Sequence, residues 1–333
     1  MVEHTTLVTG GAGYIGSHAV LALRDVGQGV VVIDDLSTGA RTAISSDVPF
    51  FEGNVADDAL VRSVIREFGV DAVMHFAGSV VVPESVENPL KYYKNNTCVS
   101  RTLVETCVEE GVANFIFSST AAVYGTVEIN PVTEDLPPCP DSPYGKTKLV
   151  TEWMLRDVSA AIPGFRHIAL RYFNVAGADP LGRAGQSTPN ATHLIKVACE
   201  AAAGRRDYVA IFGEDYDTPD GTGVRDFIHV TDLVEAHMLA LAHLRGGGES
   251  LVLNCGYGKG FSVREVLEAV RRYSGTNFEI RGSSRRPGDI PVLIADAEKI
   301  RECLGWAPHH DTLETIVAGA VNWERSLKPS NGE

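Results

Sequence analysis

The most informative segment of the chain reads Thr9-Gly10-Gly11-Ala12-Gly13-Tyr14-Ile15-Gly16. It joins a short β-rich segment, residues 5–9, to a helix-like segment that begins at Tyr14 and stops at Gly27. Its glycines match both G-x-x-G-x-x-G and G-x-G-x-x-G. Glycine permits a tight turn and lets backbone amides approach a pyrophosphate, whose charge the helix N-terminus also stabilises. The segment therefore predicts a dinucleotide-binding turn.

An acidic residue follows this turn at the spacing that a ribose contact requires. Residues 30–33 (Val-Val-Val-Ile) form a continuous apolar run, as expected of a strand buried on both faces. Asp34 ends that run. A carboxylate there accepts a hydrogen bond from a ribose 2′-OH and repels a 2′-phosphate, so the sequence favours NAD over NADP.

Strand-like and helix-like segments alternate through the first half of the chain. We expect strands near residues 49–51, 72–76, 115–118 and 167–171, and helices at 57–68, 88–111 and 142–161. Asn88-Pro89 and Ser142-Pro143 each look like an N-cap followed by proline at the first helical position. The alternation predicts an α/β fold with a Rossmann-type doubly wound parallel sheet.

The rhythm changes after Arg171. Loops rich in glycine and proline, at 179–190 and 215–223, separate expected helices at 192–203, 230–244, 262–274 and 312–324. This half suits a smaller C-terminal α/β substrate lobe. We expect residues 1–175 to form the NAD-binding Rossmann domain, with about 226–256 returning to it, and residues 176–333 to form mainly the substrate-binding lobe.

A tyrosine and a lysine are spaced for catalysis at the start of the 142–161 helix. Tyr144 and Lys148 lie at i and i+4, on one helix face. A neighbouring ammonium and a positive nicotinamide ring would lower the tyrosine pKa, ordinarily about 10, and make Tyr144 a general acid/base. Residues 118–120 (Ser-Ser-Thr) end the preceding strand, where a hydroxyl can bind a substrate oxygen. Such a pair alone is typical of a solvated surface helix, but beside the dinucleotide motif the catalytic interpretation is favoured.

The composition excludes several classes of partner. The chain has 29 lysines and arginines against 43 aspartates and glutamates, a formal net charge of −14. This balance argues against a nucleic acid polymer and against an anionic membrane surface. No apolar run reaches the ~20 residues of a membrane helix, and the N-terminal residues do not resemble a signal peptide. The six cysteines form no C-x-x-C pair, so we expect reduced thiols in a cytoplasmic protein and no metal site.

These motifs resemble those of the extended short-chain dehydrogenase/reductase family, and within it the UDP-glucose 4-epimerases. The similarity runs nearly end to end. Its most specific part is residues 220–230, Asp-Gly-Thr-Gly-Val-Arg-Asp-Phe-Ile-His-Val. It also covers residues 75–78, 92–96, 114–125 and 171–174.

The resemblance implies the interconversion of UDP-glucose and UDP-galactose. Tyr144 would remove the proton of the sugar 4′-OH while hydride moves from C4′ to NAD. Lys148 would hold the nicotinamide ribose, and Thr120 would bind the 4′-oxygen. The 4-keto sugar would then rotate and be reduced on its opposite face, so NAD would stay bound. A homodimer formed through helices of the Rossmann lobe is also implied.

The resemblance further implies two sets of binding residues. The set expected to bind NAD is Gly10, Gly13, Tyr14, Ile15, Gly16, Asp34, Asn54, Val55, Phe76, Ala77, Gly78, Asn95, Ser118, Tyr144, Lys148 and Tyr172. The set expected to bind the UDP-sugar is Thr120, Tyr144, Asn174, His193, Phe212, Arg225, Arg286, Asp289 and Leu293. Within it, the two arginines would hold the diphosphate and Phe212 would lie near the uracil.

Departures from the family pattern concern both ligands. Val80 stands where some members place a lysine near the cofactor phosphates, and Asn54 where an aspartate often meets the adenine. Leu293 stands where some members have a bulky tyrosine at the sugar pocket. We therefore expect room for a 2-N-acetyl group, and turnover of UDP-N-acetylglucosamine and UDP-N-acetylgalactosamine.

Other functions remain open from the sequence. A 4-epimerase of UDP-xylose/UDP-arabinose or UDP-glucuronate would differ in a few pocket residues, and a net NAD-dependent reductase would exchange its cofactor. A non-catalytic NAD-sensing regulator is disfavoured because Tyr144 and Lys148 are both present. A 4,6-dehydratase needs an acid/base pair after the strand-terminal threonine, but Thr120 is followed by two alanines.

Overall fold

A seven-stranded parallel sheet forms the centre of the molecule, in a computed structural model that describes residues 4–286 and 289–327. Its strands, in chain order, are β1 (Thr5–Thr9), β2 (Gly29–Asp34), β3 (Phe50–Glu52), β4 (Val70–His75), β5 (Asn114–Ser118), β6 (Arg166–Tyr172) and β10 (Leu251–Cys255). They lie side by side in the order β10-β6-β5-β4-β1-β2-β3. This arrangement confirms the predicted α/β doubly wound sheet.

The helices that accompany these strands, and those of the second half, make up the rest of the α structure. They are α1 (Tyr14–Asp25), α2 (Asp58–Phe68), α3 (Val82–Glu87), α4 (Pro89–Tyr92), α5 (Val99–Glu109), α6 (Pro143–Ala161), α7 (Leu194–Ala202), α8 (Val230–Arg245), α9 (Val263–Ser274), α10 (Glu298–Leu304) and α11 (Leu313–Ser326). Short 3₁₀ turns occur at Arg41–Ala43 and Ala121–Val123, and a π-helical stretch at Tyr93–Cys98. None of the described helices is both long enough and apolar enough to cross a bilayer.

Hydrogen-bonded caps explain where several helices begin. Ser142 accepts from the Gly145 N–H and starts α6, as predicted from Ser142-Pro143. Asp57 caps α2 in the same way, through the Leu60 N–H. Each cap satisfies a backbone donor that the first helical turn leaves unpaired.

The predicted helix opened by Asn88-Pro89 is confirmed, because helical structure runs without a break from Pro89 to Glu109 with Asn88 at its N-cap position. Asn88 also ends α3, because its N–H donates to the Glu84 carbonyl at 2.8 Å, and its side chain makes no capping hydrogen bond to α4. Within this run, α4, the π-helical stretch and α5 follow one another directly, so the sequence predicted the helix but not its π-helical turn. Asn96 lies in the π-helical stretch with its amide buried, bonded to Ser79 and to Thr147 of α6. A wide helical turn of this kind often marks a functional region.

The second half contains short strands that the sequence analysis did not predict. β9 (Val224–His229) is paired with β7 (Asn174–Ala176), β11 (Gly260–Ser262) and β13 (Val292–Leu293), and β8 (Tyr208–Phe212) pairs with β12 (Glu279–Ser283). Strands of two to six residues carry too little periodicity to be recognised, and their partners lie far away along the chain. The segment expected to return to the Rossmann domain contains β10 and α8. β10 joins the large sheet, and α8 packs against β5 and β6.

Candidate active site

The loop after β1 and the loop after β4 meet at the carboxyl edge of the sheet. β1 lies between β2 and β4. The chain adds β2 and β3 on one side of β1 and then adds β4 and the later strands on its other side. This reversal of strand order is where doubly wound sheets bind ligands. The site is built outward from this edge.

The glycine-rich turn packs backbone against backbone. Gly10 has a φ of +69°, and a Cβ on it would lie 2.6 Å from the Ala77 nitrogen. A Cβ on Gly16 would lie 2.2 Å from the Gly10 carbonyl oxygen, and one on Gly13 would lie 3.2 Å from the same atom. Side chains are thereby kept out of the space before α1, whose first-turn N–H groups favour an anion. The turn fits a pyrophosphate.

Asp34 is fixed at the end of β2 by two backbone donors. Its Oδ2 accepts from the Ala12 N–H and its Oδ1 from the Leu36 N–H, both at 2.8 Å. Burial raises the pKa of Asp34, and these two hydrogen bonds lower it. Each carboxylate oxygen keeps a further lone pair, so Asp34 can still accept from a ribose hydroxyl.

The other residues predicted for the cofactor side fall into two groups. Near the loop after β4, Phe76 lies 4.9 Å from His237 between ring centroids, and Asn95 Nδ2 donates to Ser79 Oγ at 3.1 Å. Gly78 is also there, and a Cβ on it would lie 3.0 Å from Asn96 Oδ1 and 3.9 Å from Lys148 Nζ.

The second group is committed to contacts within the protein. The Tyr14 hydroxyl donates to the Gly177 carbonyl at 2.7 Å, so this side chain ties α1 to the segment after β7. Asn54 is exposed, and its Oδ1 accepts from the Ala56 N–H at 2.9 Å. Val55 is buried, and Ile15 packs on the large apolar core. Tyr14 and Ile15 can serve a cofactor only through their backbone or their position.

Lys148 is a buried cation at the end of β5. It is 3% exposed, and its Nζ donates to the Ser118 carbonyl at 3.0 Å and lies 4.9 Å from the Phe117 ring centroid. Burial lowers the pKa of Lys148 to about 8, while the Glu152 carboxylate raises it. Ser118 Oγ donates to the Tyr172 hydroxyl at 2.9 Å. Tyr172, another residue expected to bind NAD, therefore lies at the end of β5 as well.

Tyr144 is also buried, one helical turn before Lys148, and its ring lies at right angles to that of Tyr92. Burial raises the pKa of Tyr144, Tyr172 and Tyr92 add to the increase, and the hydrogen bond with Thr120 opposes it. The protein environment therefore raises the pKa of Tyr144, contrary to the sequence-based expectation, because desolvation of the phenolate outweighs the lowering contribution of Thr120. The expectation also relied on the positive charge of a nicotinamide ring, which belongs to the cofactor and not to the protein.

Thr120 connects Tyr144 to the 3₁₀ turn that follows β5. Its Oγ1 accepts from the Ala122 N–H at 3.1 Å and starts that turn. The hydroxyl proton is thus left for another acceptor. Tyr144, Lys148 and Thr120 form a buried acid–base cluster beside the glycine-rich turn.

Two residues predicted for the substrate side bind each other. Arg225 Nη2 donates to Asp289 Oδ1 at 2.6 Å, and Arg225 Nη1 donates to the Val224 carbonyl at 2.9 Å. The Arg286 guanidinium stacks on Phe212, with Cζ 3.7 Å from the ring centroid. All four residues are predicted from the sequence, but the two pairings appear only in the folded protein. The two cations are connected through Asp289, whose N–H donates to the Arg286 carbonyl at 3.1 Å.

The remaining substrate-side residues lie at different edges. Asn174 opens β7 in register with Phe227 of β9. Leu293 lies in β13 opposite Arg225, buried in an apolar cluster with Ala121 of the 3₁₀ turn. His193 is exposed, and among the described residues its ring hydrogen-bonds Gln186 (2.9 Å) and none of the other predicted substrate residues.

Sequence reasoning missed a buried ion pair below the acid–base cluster. Glu152 and Arg171 are 4% and 5% exposed and make three hydrogen bonds with each other. The available signal was the spacing of Glu152, four residues after Lys148. Within residues 4–286 and 289–327, no three His, Cys, Asp or Glu side chains are grouped as metal ligands.

Fold and site together define a class: a Rossmann-type, dinucleotide-dependent enzyme with a tyrosine–lysine acid–base pair. The chain belongs to the NAD dependent epimerase/dehydratase family, whose model matches residues 6–256. This membership confirms the prediction of an NAD-dependent enzyme.

Similar proteins carry a consistent description. A UDP-glucose 4-epimerase of Azospirillum brasilense is 59% identical over 98% of this chain and 94% of its own length. The crystal structure of UDP-glucose 4-epimerase from Brucella ovis in complex with NAD has a TM-score of 0.93, at 43% identity, and covers 96% of this chain and 98% of that one. The UDP-Glc/GlcNAc 4-epimerase of Campylobacter jejuni has a TM-score of 0.85, at 49% identity, over 97% and 100% of the two chains.

A methyl group at position 16 tests the glycine-rich turn. In Gly16→Ala, the Cβ meets the Gly10 carbonyl oxygen at 2.2 Å, so the backbone must move. We expect the affinity for NAD to fall at least about tenfold, or about 1.4 kcal/mol. The measurement is the NAD released from purified, denatured protein, together with calorimetric titration. Gly246→Ala is the control, because its φ of −72° suits alanine and its Cβ meets nothing nearer than 3.3 Å. Equal NAD content in both variants would contradict the expectation.

Proposed function

We propose that this protein interconverts UDP-glucose and UDP-galactose by inverting C4′ of the sugar. The observation that carries the proposal is the buried cluster of Tyr144, Lys148 and Thr120 beside the glycine-rich turn, in a chain 59% identical to a UDP-glucose 4-epimerase. The reaction has no net change in oxidation state.

The residues around the turn fit NAD. The backbone cradle of residues 10–16 excludes side chains, and Asp34 has lone pairs left for a ribose hydroxyl. Lys148 lies near Gly78, where it would hold the nicotinamide ribose. When bound, NAD supplies a reversible hydride acceptor for C4′.

The proposed work of the side chains is to move one proton. Tyr144 as phenolate takes the proton of the sugar 4′-OH and returns it to the 4′-oxygen after the sugar has rotated to present its opposite face. Thr120 donates a hydrogen bond to the 4′-oxygen. Lys148, with a pKa of about 8, is mostly protonated at neutral pH, and its charge stabilises the Tyr144 phenolate.

The second half of the chain is proposed to hold the UDP group. Arg225 and Arg286 would bind the diphosphate, for which planar guanidinium groups give paired hydrogen bonds. Arg225 is bonded to Asp289, so the diphosphate would compete with or join that ion pair. Phe212 would lie against the uracil. The division into an NAD-binding domain (1–175, with about 226–256) and a substrate lobe (176–333) follows this assignment.

A cytoplasmic location completes the proposal. All six cysteines are described and are free thiols, as a reducing compartment would keep them. Burial raises the pKa of the Cys107 thiol to about 12, so it is an unreactive packing residue.

Replacing Tyr144 tests the mechanism. Tyr144→Phe keeps the buried ring but removes the hydroxyl that moves the proton, so turnover of UDP-galactose should fall by about 10²-fold or more. Bound NAD should stay at the wild-type level. The measurement is UDP-glucose formation from UDP-galactose by purified protein with no cofactor added.

Tyr273→Phe is the matched control. It removes a hydroxyl from a tyrosine that is 44% exposed on α9, outside the site, and should keep the full rate. Full activity of Tyr144→Phe would refute the mechanism. Activity of the wild type that depends on added NADH would indicate a net reductase instead.

Leu293 supports acceptance of N-acetylated sugars. It carries no aromatic bulk and lies beside the turn that begins at Thr120. We expect the wild type to epimerise UDP-N-acetylglucosamine, and Leu293→Tyr to lose at least about tenfold more of this activity than of UDP-galactose turnover. Leu293→Met, which conserves volume, should keep both. Coupled assays on the two substrates give the ratio, and no wild-type turnover of the N-acetylated sugar would end this assignment.

A homodimer is proposed through the outer face of α6. A groove of about 560 Å³ on this face is lined by Val150, Trp153, Met154, Asp157, Val158, Ala161 and Ile162. Trp153 is 48% exposed there. An apolar groove with an exposed tryptophan is typical of a protein interface.

A charge placed in this groove should separate the protomers. We expect Trp153→Lys to convert a dimer to a monomer in light scattering, since it removes the exposed aromatic side chain of the groove and places a charge among its apolar residues. Leu181→Lys, at an apolar residue that is 76% exposed elsewhere, should leave the mass unchanged. A monomeric wild type, or a dimeric Trp153→Lys, would contradict the assignment.

A further inference from the structure

We propose that Glu152, held by Arg171, is a positioning residue that fixes the proton-handling cluster of Tyr144, Lys148 and Thr120 to the sheet. This inference rests on the function proposed above and deepens it. Glu152 contacts neither ligand in the proposal and acts through its neighbours.

Every oxygen of the Glu152 carboxylate has a fixed partner. Arg171 Nη2 donates to Oε2 at 2.6 Å, and Arg171 Nε donates to both oxygens at 3.1 and 3.2 Å. Ser119 Oγ donates to Oε1 at 2.5 Å. Buried ion pairs often contribute little net stability, so a fully bonded pair at this depth calls for another role.

The bond from Ser119 holds the segment 118–120, in which Ser119 lies between the last residue of β5 and Thr120. On one side, the Ser118 carbonyl accepts from Lys148. On the other side, Thr120 lies close enough to Tyr144 to lower the pKa of that hydroxyl. One carboxylate thus fixes the segment that joins the lysine to the threonine. Glu152 also follows Lys148 by one turn of α6, so the two ends of this arrangement share a rigid helix.

The network continues to the second half of the chain. Arg171 Nη1 donates to the Tyr124 hydroxyl at 3.1 Å, which donates to Asn254 Oδ1 at 2.7 Å. Asn254 Nδ2 donates to the Val132 carbonyl at 2.9 Å, and the Val132 N–H donates to the Ile294 carbonyl at 2.8 Å. A chain of hydrogen bonds therefore runs from the acid–base cluster to the residue after Leu293.

Glu152 also sets the electrostatics around Lys148. The titratable groups that face this region are Tyr144 and Glu152 from α6, His75 from β4, and Tyr172 and Arg171 from β6. Burial, with a contribution from Lys148, lowers the pKa of His75 to about 3, so this ring is neutral. Glu152 is the anion of this set, and it opposes the loss of the lysine proton.

Glu152→Gln in the holoenzyme tests the network through the titration of Lys148. The substitution keeps the shape and removes the charge. We expect the Lys148 midpoint, followed by NMR of ¹³C-labelled lysine and assigned with Lys148→Met, to fall by about one pH unit, a tenfold change in the protonated fraction. Since activity is lost as Lys148 deprotonates, the alkaline limb of kcat should move to lower pH by the same amount. KM for UDP-galactose should change by less than about twofold.

Glu324→Gln is the matched control. Glu324 is 2% exposed and bonds Lys196 and Arg205, away from the site, so its loss also breaks a buried ion pair. It should lower the melting temperature while leaving the Lys148 midpoint and the alkaline limb at wild-type values. An unchanged midpoint and limb in Glu152→Gln would overturn the inference.

Ser119→Ala serves if Glu152→Gln does not fold. It removes one hydroxyl and keeps the charge, so kcat should fall about fivefold to tenfold with the Lys148 midpoint unchanged. A wild-type kcat in this variant would overturn the inference. A wild type with no turnover of any UDP-sugar would overturn the proposed function instead, and the Lys148 midpoints would still decide the role of Glu152.

Discussion

The close approach of the loop after β1 to the loop after β4 is the contact on which the site depends. Gly10 has no room for a Cβ against Ala77, and Gly16 has none against Gly10. The loop after β4 then brings Gly78 toward Lys148. The cofactor turn and the acid–base cluster are therefore coupled by backbone packing that only glycine permits.

Burial has opposite consequences for the two central titratable groups. It raises the pKa of Tyr144 and lowers that of Lys148 to about 8, because each charged form loses hydration. A phenolate in this pocket needs positive charge nearby, and the lysine needs a partner to stay protonated. The net negative charge of the whole chain does not prevent anions from binding, since Arg225, Arg286 and the N-terminus of α1 provide local sites for them.

Residue patterns predicted the elements that carry a strong periodicity or a cap. β2 contains the continuous apolar run of residues 30–33, and α6 is capped by Ser142 as expected. Asn88-Pro89 also marked the start of a helix correctly, but the sequence did not show that the Asn88 N–H is bonded to Glu84 and ends the preceding helix. The strands of the second half, such as β13, are too short to show a pattern and form only with a distant partner.

The amino-acid sequence alone was sufficient for the glycine-rich turn, Asp34, and the pairing of Tyr144 with Lys148 on one helix face. These depend on neighbours in the chain, whose geometry follows from local conformation. Tertiary structure decided that Arg225 bonds Asp289, that Arg286 covers Phe212 and that Glu152 anchors the end of β5. Such contacts join residues far apart along the chain, and the shifts in pKa depend on burial, which exists only in the folded protein.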